Sequence, residues 1–436
     1  MLSVSIPNNG IDNPYRQYMY AYPHKRAYRN LDNVDIRQYL HHLTYNTNHL
    51  YIHLPFCLTK CGFCNLFSVT GKSTSYIDEY LDTIERQLLQ YGKLEEVQNA
   101  NFSSLVIGGG TPLLLSEQQL ERMFSMVERY LPVKVNDIYT VIETSPICSE
   151  ESKLKFICEG GVNRISLGVQ SFVADELKIL GRSHSTIDAH EALGRIKKTN
   201  FDELNVDLIY GIPHQTIDSV CFSVEEVLTH WPQEIFAYPL YIKEGTRMHR
   251  LAEGYKDIRL EMYSAIRELL LTNGYTQTSM RRFVLNGLEQ STSCGFDNVL
   301  ALGCGGRSYL GNLHFCEPFA VNQLQCKSII DEYIKQTDFY HAEHGYILSD
   351  NEQKRRYVIK HLLFHTGIDE AEYRLLFSSD IILDFPFIER LIESEFVVKA
   401  EGKIRLTPQG VALSDYIGPM FISDEVQHKM DTFQLV

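Results

Sequence analysis

The sequence predicts an α/β protein built around a partial (β/α)6 barrel, with an α/β extension and a winged-helix-like carboxy-terminal domain. From about residue 48 to 275, short apolar runs alternate with longer amphipathic stretches, which is typical of parallel strands joined by crossover helices. After that point the pattern changes to short strands and glycine-rich loops, and beyond residue 345 it becomes helix-rich. The 436 residues are enough for a barrel with appended domains.

The barrel is expected to contain six strands. They are His49–Leu54, Ser103–Ile107, Ile138–Ile142, Arg164–Leu167, Leu204–Ile209 and Ile235–Tyr241. The helices that the pattern predicts between them include Ser75–Tyr91, Ser116–Tyr130 and Ile258–Leu271. Ser116 precedes an acid and an amide, and we interpret it as an N-cap because its hydroxyl can accept from the first free amides of a helix.

Four regions follow from this pattern. They are an N-terminal arm (1–47), the barrel (48–275), an α/β extension that covers the active site (276–345) and the winged-helix-like domain (346–436). In the last region, predicted helices Ser349–His365, Glu370–Phe377 and Pro386–Glu393 precede a hairpin that turns at Glu401–Gly402. Such modules often bind DNA, but these helices carry no basic stripe, so we expect no nucleic-acid binding.

Composition favours small-molecule chemistry. The net charge of −14 argues against a nucleic-acid surface or an anionic membrane surface, since both require clustered Lys and Arg. The sequence has no signal-like segment and no run of about 18 apolar residues, so we expect a cytoplasmic protein that does not bind membranes. Ten cysteines in such a chain indicate reduced thiols or metal ligands more than disulfides.

Three cysteines follow the first predicted strand at CxxxCxxC spacing. They are Cys57, Cys61 and Cys64. The alternatives are buried small apolar residues or a structural zinc, but zinc takes four protein ligands and residues 65–67 supply no fourth. Three thiolates fit a [4Fe–4S] cubane with one iron left open.

The segment from Tyr51 to Cys64 resembles the radical S-adenosylmethionine (radical SAM) family, in its branch of coproporphyrinogen III dehydrogenases (HemN-like proteins), and the likeness extends over most of the chain. In that family the open iron is chelated by S-adenosylmethionine (SAM), and one electron from the cluster splits the sulfonium to a 5′-deoxyadenosyl radical. The resemblance implies that the three cysteines are catalytic cluster ligands. It also implies one or two SAM molecules and a flavodoxin- or ferredoxin-type electron donor.

Further SAM contacts are implied by the resemblance at strand ends, where a parallel barrel builds its active site. The residues are Tyr51, Phe63, Gly109, Gly110, Thr111, Glu143, Gln170, Arg182, Asp207 and Ile209. The GGGTP loop would embrace the methionine end. Asp207 would contact the ribose, and Phe63 and Ile209 would border the adenine. The alternative for the glycines is that they form a tight turn that binds no ligand. The alternative for each polar residue is that it is an ordinary surface residue.

A second glycine-rich segment, 302–309, lies where HemN-like enzymes build the far side of the cavity and, in several, a second SAM site. Gly303 is therefore an expected cofactor contact, and a plain turn is the alternative. Arg307 in this segment is expected to act in catalysis by offering a planar fork to a substrate carboxylate or phosphate. The substrate is accordingly expected to be a small anionic molecule.

Two details depart from known branches of the family. Cys64 is followed by Asn65 and Leu66, whereas the coproporphyrinogen enzymes carry another cysteine two residues past the third. The haem-chaperone (HemW-like) branch has a His-Asn-x-x-Tyr-Trp haem motif, which this sequence lacks; its sole tryptophan, Trp231, precedes a proline. The first departure weakens the assignment of a porphyrinogen as the substrate. The second makes haem trafficking the less favoured hypothesis.

The arm contains a basic and aromatic run at 22–29, which could cover the cavity and hold an anionic substrate or form a solvated arm; we expect the solvated arm. Most remaining cysteines are expected to be packing residues. These are Cys148, Cys158, Cys221, Cys294, Cys316 and Cys326. Cys304 shares the loop of Arg307, and its role stays open.

Three functional hypotheses result. The preferred one is a radical SAM enzyme, a HemN-like oxidoreductase or methyltransferase, that abstracts a substrate hydrogen and then performs oxidation or methyl or methylene transfer. The alternative is a non-catalytic haem- or cluster-binding chaperone of the HemW-like type, which production of 5′-deoxyadenosine would distinguish. The third, a regulator acting through the winged domain, requires a basic face that the sequence does not show.

Overall fold

The computed structural model describes residue 11 and residues 13–44, 47–242, 247–288 and 295–433. It confirms the α/β fold class. Seven parallel strands form the centre of one large sheet, in the spatial order β7-β1-β2-β3-β4-β5-β6. They are β1 (Asn48–Leu54), β2 (Phe102–Gly109), β3 (Tyr139–Thr144), β4 (Arg164–Gln170), β5 (Glu203–Tyr210), β6 (Glu234–Pro239) and β7 (Asn298–Leu302).

The sheet continues on both sides with antiparallel strands, to thirteen strands in total. Beside β6 lie Arg282–Leu285 and Tyr275–Gln277, and beside β7 lie Ser308–Leu310, Leu313–Phe315, His341–Ile347 and Arg29–Asp35. The six predicted barrel strands are all present with small shifts of their ends. The parallel pairing of β7 with β1 was not predicted, because a five-residue apolar run does not show which strand it joins.

Helices connect the strands and cover the sheet. Their bounds are Thr74–Tyr91, Glu95–Gln98, Glu117–Tyr130, Glu151–Glu159, Ala174–Leu180, Thr186–Thr199, Ile217–Leu228, Arg247–Ala252, Arg259–Thr272 and Gln323–Lys335. Short 3-10 helices span Lys25–Ala27, Ile36–Leu43, Pro112–Leu114, Val135–Asp137, Pro146–Cys148 and Gly418–Phe421. Ser116 caps its helix as predicted: its hydroxyl accepts from the Gln119 amide, and the Gln119 side chain accepts from the Ser116 amide.

The carboxy-terminal module contains short helices and a three-stranded sheet. The helices are Asp350–Leu362, Glu370–Phe377, Ile381–Asp384, Phe387–Glu393, Pro408–Ala412, Ser414–Ile417 and Asp424–Asp431, and the strands are Ile368–Asp369, Val397–Ala400 and Lys403–Leu406. The hairpin turns at Glu401 and Gly402, which both have positive φ (53° and 71°), as a tight two-residue turn requires.

The N-terminal arm is packed against the rest of the molecule. Tyr22 and Tyr28 are each 1% exposed and belong to the core of the carboxy-terminal module. Tyr15 packs into the barrel core, with its ring centroid 6.3 Å from that of Tyr210. The expectation of a solvated arm is therefore wrong. Its aromatic residues are buried on surfaces contributed by residues hundreds of positions away, which charge composition does not reveal.

Candidate functional site

The three-cysteine loop leaves the carboxyl end of β1. A two-stranded parallel pairing of Phe56–Cys57 with Val69–Thr70 closes its base, and the Val69 amide donates to the Pro55 carbonyl at 2.7 Å. At its tip, the Gly62 amide donates to the Leu180 carbonyl at 2.9 Å. The loop is thus held at both ends by backbone hydrogen bonds, and its three thiols are half-buried.

The surroundings of the thiols fit an iron–sulfur cluster. Arg182 Nη1 lies 3.2 Å from Cys61 Sγ, and Thr111 Oγ1 lies 3.8 Å from Cys57 Sγ. Burial raises the pKa of Cys57 to about 11 and also raises the pKa of Cys64, so these thiols ionise only when a cation compensates. Among the described residues no three His, Cys, Asp or Glu side chains converge on one ion position. A cubane does not require its ligands to converge on one ion position, because it offers each thiolate its own iron.

The GGGTP loop supports the cysteine loop directly. The Gly110 amide donates to the Leu54 carbonyl and the Thr111 amide to the Phe56 carbonyl, both at 2.8 Å. A Cβ on Gly110 would lie 2.4 Å from the Phe56 oxygen, and one on Gly109 would lie 2.7 Å from the His53 ring. The glycines are therefore required for close approach of the chain to itself. Their contact with SAM stays a prediction.

Carboxylates stand at the neighbouring strand ends. Glu143 accepts a hydrogen bond from the Gly109 amide at 3.1 Å, and burial raises its pKa. Asp207 accepts from Asn205 Nδ2 at 2.8 Å, and burial raises its pKa to about 7. Gln170 is 9% exposed and has a φ of 77°, a conformation that non-glycine residues rarely adopt. The structure thus gathers all three predicted polar residues at the carboxyl ends or midpoints of β3, β4 and β5.

Two predicted adenine neighbours also meet. Phe63 packs against a small apolar cluster that contains Ile209. The other buried members of this cluster are Leu180, Ile212, Leu240 and Met248. An apolar wall therefore lies beside the cysteine loop, as an adenine site would require.

A cavity of about 1190 Å³ lies inside the curved sheet, next to the cysteine loop. We call its lining from β1 to β6 the barrel wall: His49, Leu50, Tyr51, His53, Ser103, Ser104, Val106, Tyr139, Val141, Arg164, Glu203, Glu234 and Phe236. We call the lining from the arm and from residues 305–319 the far wall: Lys25, Gly305, Arg307, Tyr309, Cys316, Glu317, Pro318 and Phe319. Leu66 and Phe67, which follow Cys64, also line the cavity.

Charges on the barrel wall are paired. Glu234 is 2% exposed and forms ion pairs with both Arg164 and Arg282. His49 bridges Ser104 Oγ (2.7 Å) and Asp297 Oδ2 (3.2 Å). This wall therefore contains polar groups whose hydrogen-bonding capacity is largely used within the protein.

The far wall combines the second glycine segment with the arm. The Arg307 guanidinium lies 4.8 Å from the centre of the Tyr20 ring, and Lys25 Nζ lies 3.5 Å from the Phe319 ring. Glu317 accepts from the Gly305 amide at 2.9 Å, and burial raises the pKa of Glu317 to about 7. Gly303 is enclosed instead: its amide donates to Gln87 Oε1 at 3.0 Å. Its contact with a cofactor stays a prediction.

Several site residues were missed or misjudged in the sequence. His53 lines the cavity, its Nε2 lies 3.0 Å from the Phe67 carbonyl, and burial lowers its pKa to about 4; a polar residue inside the apolar β1 pattern was the available signal. Cys316 was expected only to pack, but it lines the cavity. Cys148 and Cys326 are buried as packing residues are, Cys304 is buried beneath the far wall, and Cys294 lies outside the described residues.

Comparison with known proteins identifies the domain. Residues 51–227 match the family model of the radical SAM superfamily. The chain therefore carries a radical SAM domain, which implies a [4Fe–4S] cluster and SAM binding. None of the helices in the described parts of the chain combines the length and the apolar character needed to cross a bilayer.

The resemblance to HemN-like proteins is also confirmed. A solved structure, coproporphyrinogen III oxidase (HemN) from Escherichia coli, has a TM-score of 0.76 over 93% of this chain and 96% of that one, at 21% identity, and so shares the fold. The chain is 27% identical to the heme chaperone HemW of Lactococcus lactis over 87% of this chain and 98% of the relative. It is 26% identical to the oxygen-independent coproporphyrinogen III oxidase of Pseudomonas aeruginosa over 84% and 82%.

These relatives correct the functional prediction. Four further bacterial relatives, between 25% and 29% identical, carry the name heme chaperone HemW. The printed name is that of a chaperone for heme and not of an oxidoreductase or a methyltransferase. The prediction that this chain is a radical SAM oxidoreductase or methyltransferase is therefore wrong, and the chaperone alternative is better supported. The missing His-Asn-x-x-Tyr-Trp motif misled the interpretation, because the likeness is distributed along nearly the whole chain.

Proposed function

We propose that this protein is a non-catalytic, cytoplasmic heme-binding chaperone that also binds a [4Fe–4S] cluster and SAM. The observation that carries the proposal is the cavity of about 1190 Å³ beside the cysteine loop. Sites for drug-sized ligands span about 300–1,000 Å³, so this cavity offers room for a macrocycle.

Cys57, Cys61 and Cys64 would hold the cluster, whose open iron would be available to the amino and carboxylate groups of SAM. Arg182 would stabilise the Cys61 thiolate through its contact with the sulfur. The SAM contacts that we propose are Tyr51, Phe63, Gly109, Gly110, Thr111, Glu143, Gln170, Asp207 and Ile209. We propose one SAM molecule per chain, since the Gly303 amide is already bonded to Gln87.

The cavity lining suits a flat, largely apolar ligand with charged edges. Tyr51, Val106 and Phe236 on the barrel wall and Phe319 on the far wall supply apolar and aromatic surface. Lys25 and Arg307 supply positive charge on the far wall. A tetrapyrrole with carboxylate side chains is the ligand class that this combination fits.

Titration with hemin tests the proposal. The anaerobically reconstituted full chain should bind about one equivalent, with a shift of the heme absorption band. Val106→Trp places a large side chain in the cavity and should abolish hemin binding while cluster content is retained, because Val106 lies on β2 away from the cysteines. Val398→Trp, on an exposed hairpin strand, is the matched control.

If the protein binds no hemin but transfers its cluster to an apo-acceptor, the cargo of the chaperone is the cluster and not heme. Sustained formation of 5′-deoxyadenosine together with a modified heme would contradict a non-catalytic role. Equal hemin affinity in wild type and Val106→Trp would show that heme does not bind in the cavity.

A further inference from the structure

Several buried polar groups in or behind the far wall have no hydrogen-bond partner among the described residues. They include Arg307 Nη1, the Tyr28 hydroxyl and the ring nitrogens of His314, and the first two can donate to a ligand. Tyr28 is 1% exposed, and no carboxylate of the described chain forms an ion pair with Arg307. A buried donor without an acceptor is destabilising, and a bound ligand can supply the acceptor.

Tyr28 lies behind the cavity lining, and a short series of contacts joins it to that lining. Tyr28 packs near His344, with ring centroids 6.0 Å apart, and His344 Nδ1 lies 3.2 Å from the carbonyl oxygen of Cys316. Cys316 in turn lines the cavity together with Arg307. Burial raises the pKa of the Tyr28 phenol well above its usual range, and the charge of Arg307 acts on it in the opposite direction.

The surrounding charges favour an anion beside Arg307. On and beside the barrel wall, the positive charges of Arg164 and Arg282 are balanced by two carboxylates, Glu234 and Glu203. On the far wall the Arg307 guanidinium contacts the face of Tyr20, an uncharged ring that leaves its positive charge uncompensated. A guanidinium fork and a phenol together offer three or more donors to one planar carboxylate.

We propose that Arg307 and Tyr28 form a carboxylate-binding subsite that anchors an acidic side chain of the tetrapyrrole. The inference rests on the proposed function and adds the chemical group that is recognised and the contribution of the N-terminal arm. It makes the arm part of the ligand site.

The test compares hemin with hemin dimethyl ester, which keeps the ring and the iron but lacks both carboxylates. Wild-type protein should bind hemin about ten- to a hundredfold more tightly than the ester, the range expected for a charge-assisted hydrogen bond. Arg307→Gln should lower hemin affinity to that of the ester and leave ester affinity unchanged. Arg307→Lys should recover only part of the preference, because an ammonium lacks the planar fork.

Tyr28→Phe provides a second, independent test of the subsite. It removes an unsatisfied hydroxyl, so the ligand-free protein should unfold at the same or a higher temperature while hemin binds about three- to tenfold more weakly. Tyr22→Phe is the matched control in the same arm: Tyr22 is equally buried, but its hydroxyl donates to Glu352 and accepts from the Ser423 amide. This control should unfold at a lower temperature and keep the wild-type preference for hemin.

The outcomes separate the two proposals. If wild type binds neither hemin nor its ester, the proposed function fails and the subsite fails with it. If both ligands bind with equal affinity, or if Arg307→Gln keeps the preference for hemin while still folded, the heme site stands and the carboxylate subsite is overturned. A lower unfolding temperature of ligand-free Tyr28→Phe with unchanged hemin affinity would return Tyr28 to a purely structural role.

Discussion

The barrel wall and the far wall of the cavity face the same space but are assembled differently. On the barrel wall, ionic side chains from neighbouring strands are bonded to each other: Glu234 on β6 pairs with Arg164 on β4 and also with Arg282 on the adjacent antiparallel strand. The far wall brings together Lys25 from the arm and Arg307 from a loop almost 300 positions later, and Arg307 keeps an unsatisfied donor. The arginine of the barrel wall has carboxylate partners, whereas Arg307 of the far wall forms no ion pair with the described residues.

This difference indicates a division of roles. Residues whose hydrogen bonds are made within the protein fix the shape of a site and require no ligand to hold it. Residues with unused donors supply selectivity, since they gain more from a ligand that provides an acceptor. The following experiments test where that division lies.

The largest effect is expected at the cysteine loop. Cys61→Ala should reduce iron from about four per chain to near zero after anaerobic reconstitution, because two thiolates do not retain the cubane. Iron analysis and visible absorption measure the loss. Cys158→Ala, a half-exposed helical cysteine whose thiol contacts the Thr199 carbonyl, is the control and should keep its iron. A normal cluster in Cys61→Ala would remove Cys61 from the ligand set.

A second large effect is expected where the arm, the barrel and the carboxy-terminal module meet. Arg281 and Asp415 are 6% and 1% exposed and form an ion pair. Arg281→Met leaves a buried carboxylate without its partner and should lower the free energy of unfolding by about 3–5 kcal/mol. Denaturant unfolding measures the change.

The matched control for this ion pair lies on an exposed helix. Lys327→Met breaks the i,i+4 pair with Asp331, whose side chains are 45% and 33% exposed, and should cost less than about 1 kcal/mol. A similar cost for Arg281→Met and Lys327→Met would show that the buried pair does not hold the arm region together.

An intermediate effect is expected in the GGGTP loop. Gly110→Ala forces a Cβ against the Phe56 oxygen, and the resulting backbone shift should cost about 1–3 kcal/mol and speed cluster loss. Gly194→Ala, in helix Thr186–Thr199, meets nothing within 4 Å and should be neutral or stabilising by about 0.5–1 kcal/mol. Cluster half-life and unfolding temperature are the readouts. Equal cluster half-lives in Gly110→Ala and Gly194→Ala would show that the glycine loop does not support the cluster.

The most gradual effect, spread over several pH units, is expected from two buried acids. Asp207 and Glu317 have folded-state pKa values raised by burial to about 7, above the ordinary values of 3.8 and 4.5. Between these limits the folded state holds protons that the unfolded state has released, so their contribution to stability is fully present below about pH 4. It is lost as pH rises through 7, with a slope of at most about 1.4 kcal/mol per pH unit for each group.

Asp207→Asn and Glu317→Gln should each flatten the decline of the unfolding free energy of the ligand-free protein between pH 5 and 7. Asp175→Asn, on an exposed helix surface, should leave the slope unchanged. An unaltered slope in both test variants would mean that water reaches the two carboxyls in the folded protein.

Sequence alone predicts the barrel wall better than the far wall. The reason is the separation along the sequence of the residues that interact. The strand pattern, the Ser116 cap and the turn at Glu401–Gly402 depend on neighbours within a few residues, and the structure has all of them. The Arg281–Asp415 pair joins residues 134 positions apart, and no local pattern encodes such a contact. Likewise, the requirement for glycine at position 110 comes from Phe56, which only the folded chain brings near.

The junction between arm and carboxy-terminal module also sets an order of events during synthesis. The Gln17 amide donates to the Asp415 carbonyl at 3.2 Å, and the Arg16 guanidinium lies 4.2 Å from the Tyr416 ring. These partners leave the ribosome some 400 residues after the arm itself. The arm therefore stays without these partners while about 400 further residues are synthesised, and the far wall, to which Lys25 of the arm contributes, is assembled only after they have emerged.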